Sequence, residues 1–121
     1  AQRQGDAHDR RSRQRHLQAA EAEKLVKKAI AAKPKAGYIV DTLGWVYYRL
    51  GQYDSAAGLL EGVVKDQPER GVFHYHLGMT YLALGRAAAA RTELETMLDL
   101  AGRDSALPQV ARARAALAGL E

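Results

Sequence analysis

The chain contains no cysteine, which excludes disulfides, thiol chemistry and thiolate metal sites and leaves the redox compartment open. Strand-favouring residues never alternate over a useful run, so the natural class is all-α. No apolar run approaches the roughly 18 residues of a membrane span. There is no initiator Met and no signal peptide, so the sequence reads as a fragment or a processed product. Its 121 residues make one domain, and a chain of this size buries about 65% of its unfolded surface, enough for a stable helical stack.

Net charge is close to zero over most of the chain and concentrated at one end. The net charge is +4, and residues 1–16 supply +3 of it through Arg3, Arg10, Arg11, Arg13 and Arg15 against Asp6 and Asp9. A run of this kind can grip phosphates. With no aromatic residue interleaved for base stacking, it reads first as a solvated basic arm or a helical extension starting near Asp9, and nucleic-acid tethering is the weaker alternative.

What the chain does have is a duplication. Shifting the sequence by 34 residues superposes residues 37–70 on 71–104 with nine identities, among them Leu43/Leu77, Gly44/Gly78, Tyr47/Tyr81, Leu50/Leu84, Gly51/Gly85, Ala56/Ala90 and Leu60/Leu94. Leu, Gly and Tyr at these spacings share one face of a helix. Gly44 and Gly78 remove a side chain where the following helix must come close. Gly51 and Gly85 suit a left-handed position just past a helix end. Ala56 and Ala90 are small contact points of the second helix, and Leu60/Val63 and Leu94/Met97/Leu98 form its apolar stripe.

The order Leu-Gly, two residues, Tyr, then the later Ala and Leu, resembles the 34-residue helix–turn–helix unit of the tetratricopeptide repeat (TPR) family. The resemblance covers residues 17–120. It implies a right-handed α-solenoid of antiparallel hairpins, with helices near 38–50, 53–66, 72–84 and 87–100. Residues 17–33 correspond to the second helix of an incomplete repeat, with Ala22, Leu25/Val26, Ala29 and Ile30 as its stripe and Glu23→Lys27 as an i,i+4 pair. Where the first helix of that repeat belongs, the signature places hold Asp9, Arg10 and Arg13. After repeat one (37–70) and repeat two (71–104), Ser105 and Pro108 mark the start of a final helix. Its stripe of Val110, Ala113, Leu117 and Leu120 makes residues 105–120 a cap for the last exposed apolar face. The wording of repeat one is also similar to that of bacterial envelope TPR proteins of the exosortase and polysaccharide-export type, a weak pointer to the cell envelope.

Candidate chemistry is thin. His74 and His76, at i,i+2 on a helix, point apart and cannot share a metal; one is expected half-buried and the other exposed. Nothing equips Asp41 and Thr42 as base and nucleophile, and Gly37, Gly44 and Gly51 belong to the repeat and not to a phosphate loop. The expectation is a non-enzyme without cofactor or metal. Gly58 and Gly62 fall on the convex side of their helix, either as drift on a wet face or as a flat strip for a second copy.

The family implies a concave groove, lined by the first helices, that holds an extended peptide or a partner helix. By register its places carry Tyr38, Asp41, Trp45, Tyr48 and Arg49 in repeat one, and Val72, Tyr75, Met79, Leu82 and Ala83 in repeat two. The only Trp and three of the six Tyr are thereby directed at one surface, with an adaptable Met. The competing reading is that Trp45 and Tyr48 pack on neighbouring helices and merely floor the groove. Clamping a C-terminal carboxylate, a ligand mode of the family, needs Lys and Asn where Asp41, Trp45, Tyr75 and Met79 stand, so it is disfavoured. The expected partner is a largely apolar protein segment, with a basic group for Asp41 or an acidic one for Arg49. A homo-oligomerising unit is the alternative.

Overall fold

In the computed structural model the described residues are 13–15, 17, 18, 20, 21, 23–25, 28, 37–102 and 105–120. Five helices follow one another from residue 37: α1 (Gly37–Arg49), α2 (Tyr53–Asp66), α3 (Gly71–Ala83), α4 (Ala87–Ala101) and α5 (Pro108–Ala118). Among the described residues there is no strand. Each helix packs on the next, and α1 also touches α3 as α3 touches α5. This is a helical solenoid in which α1, α3 and α5 occupy equivalent positions.

The duplicated residues produce duplicated geometry. Leu60 and Leu94 are fully buried, each against the glycine of the preceding helix. A Cβ at Gly44 would lie 2.8 Å from Leu60 Cγ, and one at Gly78 would lie 2.8 Å from Leu94 Cγ. Side chains at either place would push the hairpin apart. The turns repeat as well. Gly51 and Gly85 take φ of 79° and 75°. Gln52 N–H donates to the Tyr47 carbonyl and Gly51 N–H to that of Tyr48; Arg86 and Gly85 repeat the pattern on Tyr81 and Leu82. These are paired Schellman closures, which satisfy otherwise orphaned carbonyls at both helix ends.

Two apolar clusters run through the stack. One joins Leu43, Tyr47, Leu60, Val63, Phe73 and Leu77 across α1, α2 and α3. The other joins Tyr75, Leu94, Met97, Val110 and Ala113 across α3, α4 and α5. The hydroxyls of the two signature tyrosines point back to the preceding helical layer, Tyr47 donating to Glu23 (2.7 Å) and Tyr81 to Glu61 (2.9 Å).

Several expectations need correction. Leu25 is 69% exposed and lies on no buried stripe, while Glu23 of the same helical stretch is partly buried and accepts from Tyr47. The contact face of that stretch therefore includes Glu23 and leaves Leu25 in solvent. Ala22, Val26, Lys27, Ala29 and Ile30 lie outside the described residues, as do Arg3, Asp9, Arg10 and Arg11. Arg13 and Arg15 are helical and exposed. At α5 the N-cap is Leu107, not Ser105, whose hydroxyl instead accepts from Leu107 N–H at 3.4 Å. Val110 and Ala113 are buried as the stripe required, and Leu117 and Leu120 are half-buried.

Candidate functional site

The groove places fall into three groups. Tyr38 (63% exposed), Val72 (41%), Arg49 and Ala83 face solvent. Trp45, Tyr48, Met79 and Leu82 are half-buried. Tyr75 and Asp41 are buried, at 3% and 6% exposure. Register alone therefore does not set how deep each side chain goes.

The rings are brought together as a row. Tyr48 stacks on Trp45 with centroids 4.3 Å apart and planes 6° from parallel, and His76 stacks on it at 4.2 Å and 23°. Tyr48 and His76 make no ring contact with each other, so they cover opposite faces of the indole. Tyr75 meets Trp45 at 6.0 Å and His76 at 5.7 Å, and Tyr53 extends the row beyond Tyr48 at 5.5 Å. Aromatic pairs at these separations stabilise by about 0.5–1.5 kcal/mol each beyond area burial. With both its faces covered, Trp45 offers a partner only its edge. Burial, with Tyr53 and Tyr75 beside it, pushes the Tyr48 phenol above its ordinary range.

Asp41 is not a free groove charge. Its two carboxylate oxygens lie 2.8 and 2.9 Å from Nδ1 of His76, which ties α1 to α3 beneath the ring row. His76 is correspondingly not exposed; its side chain keeps 13% of its accessible surface. His74, 6% exposed, is held from both sides. Its Nδ1 lies 2.6 Å from Glu93 Oε2 and its Nε2 lies 2.7 Å from the Pro68 carbonyl. The ring is thus clasped between a carboxylate oxygen and a backbone carbonyl. It joins α3 to α4 and to the turn before α3.

Sequence reasoning missed His76 and Tyr53 as members of the ring row. The available signal was spacing: Asp41 and His76 are 35 residues apart, one repeat plus one residue, which places them on adjacent equivalent helices.

A separate concavity of about 300 Å³ opens between the start of α3, the end of α4 and the start of α5. Val72, Met97, Leu100 and Leu107 line it, with Glu69 and Gln109 as polar members. Of the predicted groove residues only Val72 reaches it. Gly58 and Gly62 face open space, with nothing within 4 Å of a Cβ built on either. Among the described residues no cluster of three His, Cys, Asp or Glu is placed to hold a metal, and no helix is long and apolar enough to cross a membrane.

Comparison with known proteins follows the same lines. A family model described as tetratricopeptide repeat matches residues 42–106, more than half of the chain. No curated protein matches. Among solved structures, the Yersinia enterocolitica type III secretion chaperone SycD, in complex with a peptide of the translocator YopD, is similar with a TM-score of 0.73 and 17% identity over 95% of this chain and 92% of that one. MamA MSR-1 C2 is similar with a TM-score of 0.63 and 23% identity over 87% of this chain and 59% of that one. At such identities the likeness concerns the fold alone. Two hairpins closed by the same glycines, packed through the same Gly–Leu contacts and matched by that family model make this chain a member of the tetratricopeptide-repeat family.

Proposed function

We propose that the chain is a non-catalytic protein-interaction module that holds a partner segment along the face formed by α1, α3 and α5. The observation that carries this reading is the continuous row Tyr75–His76–Trp45–Tyr48–Tyr53 across α1, α3 and the start of α2. Four of its members, Trp45, Tyr48, Tyr53 and His76, are half-buried. Such a row is a preorganised platform: its rotamers are locked by stacking, so little ordering entropy remains to be lost on binding. The similar fold of SycD was solved with a peptide of YopD, which supports a peptide as the class of ligand.

Depth sets the roles. Trp45, Tyr75, Met79 and Leu82 form or back the floor, while Tyr38, the outer edge of Tyr48, Val72 and Arg49 make the contacts. With Asp41 committed to His76, the polar pairing left in repeat one is an acidic group of the partner at Arg49. The partner segment is otherwise apolar. A bacterial envelope origin rests on the wording of repeat one alone.

The test uses the single Trp as its reporter. Peptides selected on an array are titrated while Trp45 emission is followed, for the wild type and for Tyr38→Ala/Tyr48→Ala. A 10-fold or greater weakening, about 1.4 kcal/mol or more, is expected for the variant. Unchanged affinity in the variant, with Trp45 emission unmoved in both proteins, refutes the groove. Tyr75→Ala is unsuitable for this purpose, because Tyr75 is a core residue.

A further inference from the structure

Helix α3 carries two histidines two residues apart, and their ring nitrogens are used differently. His74 is closed: Nδ1 lies 2.6 Å from Glu93 Oε2 and Nε2 lies 2.7 Å from the Pro68 carbonyl. His76 is half open. Its hydrogen bonds both leave from Nδ1, 2.8 and 2.9 Å from the carboxylate oxygens of Asp41, and Nε2 has no partner among the described residues. No buried side-chain nitrogen or oxygen among them lacks a partner, so Nε2 reaches the surface. The side chain keeps 13% of its accessible area there.

The open nitrogen is held still, and its polarity is set from behind. Stacking on Trp45 at 4.2 Å and contact with Tyr75 at 5.7 Å fix the ring plane. Asp41 is 6% exposed, so the Nδ1–H donor is turned inward and Nε2, across the ring, is turned away from it. In a neutral imidazole the hydrogen bond made by one nitrogen selects the tautomer. With the proton on Nδ1 donated to Asp41, Nε2 keeps its lone pair and accepts. Tying α1 to α3 needs Nδ1 only. What remains is an accessible acceptor in the seam between those helices, beside the indole.

We infer that His76 Nε2 accepts a hydrogen bond from a backbone N–H of the bound partner segment, with Asp41 as the positioning residue that holds the tautomer. This role presupposes that the α1–α3–α5 face is the binding surface, and it deepens that reading. An otherwise apolar segment brings its own amides, and one that loses water over the ring row needs a new acceptor. The rings supply contact area without direction. A single fixed acceptor sets the register in which the segment lies.

Two measurements test this. Nitrogen-15 NMR of the His76 ring, assigned through the backbone of the wild type, reads the tautomer at about pH 8, where histidine is ordinarily neutral. The proton is expected on Nδ1; a proton on Nε2 overturns the inference. The second measurement uses a labelled peptide selected on the array and its single amide-to-ester replacements, with binding followed by anisotropy. One replacement is expected to weaken binding to the wild type by about 5-fold or more. It should have no further effect in Asp41→Asn/His76→Phe, which keeps a ring against Trp45; His76→Phe is the second variant, and circular dichroism checks both folds. A purely structural tie does not produce such coupling. Coupling at no ester position overturns the inference, and so does coupling confined to a side chain of the peptide replaced by alanine. In both cases the groove stands if the peptide still weakens on Tyr38→Ala/Tyr48→Ala. A peptide indifferent to that variant overturns the groove and this role together.

Discussion

Gly78 offers the sharpest test of how this fold is held. In Gly78→Ala the new Cβ would lie 2.8 Å from both Cγ and Cδ2 of Leu94 and 3.3 Å from Glu93 Cβ. Carbon atoms prefer about 3.5–4.0 Å, so the overlap with Leu94 is roughly 1 Å. Leu94 is fully buried and packs with Tyr75, Met97 and Val110, so it cannot swing aside without disturbing that cluster. The contact with Glu93 also presses on the residue whose carboxylate holds His74. Overpacking of this kind costs about 1–3 kcal/mol, against a helix-propensity gain of about 1 kcal/mol for Gly→Ala. The expected net loss is about 1 kcal/mol, or roughly 4 °C in Tm for a domain of this size.

Gly58→Ala and Gly62→Ala are the internal controls. Each Cβ enters open space, so only the propensity gain remains, and each should raise stability by about 0.5–1 kcal/mol. Urea and thermal unfolding of the four single variants, Gly44→Ala included, measures all of this. Gly44 faces Leu60 as Gly78 faces Leu94, so these two should lose similar amounts. If Gly78→Ala stabilises as much as Gly58→Ala, close helix approach is not why glycine stands there.

Other outcomes follow from the same geometry. Gly51→Ala and Gly85→Ala force a side chain into φ near 79° and 75° and should each cost about 1–2 kcal/mol, read by urea unfolding. His74→Leu leaves Glu93 and the Pro68 carbonyl without their shared partner and should cost about 1–3 kcal/mol, with Glu93→Gln recovering part of the loss in the double variant. Burial and then the hydrogen bonds to Glu23 and Glu61 push the phenols of Tyr47 and Tyr81 up to about 12. An acid held more tightly in the folded state stabilises fully below its unfolded value of about 10. That contribution is lost as pH rises through 10 to 12. Alkaline unfolding should therefore be steep in that window for the wild type and shallower for Tyr47→Phe/Tyr81→Phe.

The architecture was legible because repetition is a property of order along the chain. A Gly opposite a Leu, a Gly after each first helix and a small Ala in each second helix recur at one period, and a single packing solution satisfies both copies. The close approach of a second helix at Gly44 and Gly78 is legible from the repeat, and the structure supplies Leu60 and Leu94 as the side chains that meet them. The family resemblance directed Trp45, Tyr48 and Tyr75 at one surface, and their rings do lie together in the structure. Local order along the chain thus determined the helices, their turns and their sequence of stacking.

Depth and pairing were decided only in three dimensions. Asp41 and Arg49 share a register class, yet Asp41 is buried on His76 and Arg49 is exposed. Trp45 is half-buried between Tyr48 and His76, a depth register does not give, and Leu25, expected in a buried stripe, stands in solvent. The physical reason is common to all three cases. Register specifies the direction a side chain takes from its own helix, whereas burial depends on how far the neighbouring helix stands off and what it presents. That neighbour is 30 or more residues away in the chain, and its side chains differ between copies even where the backbone repeats.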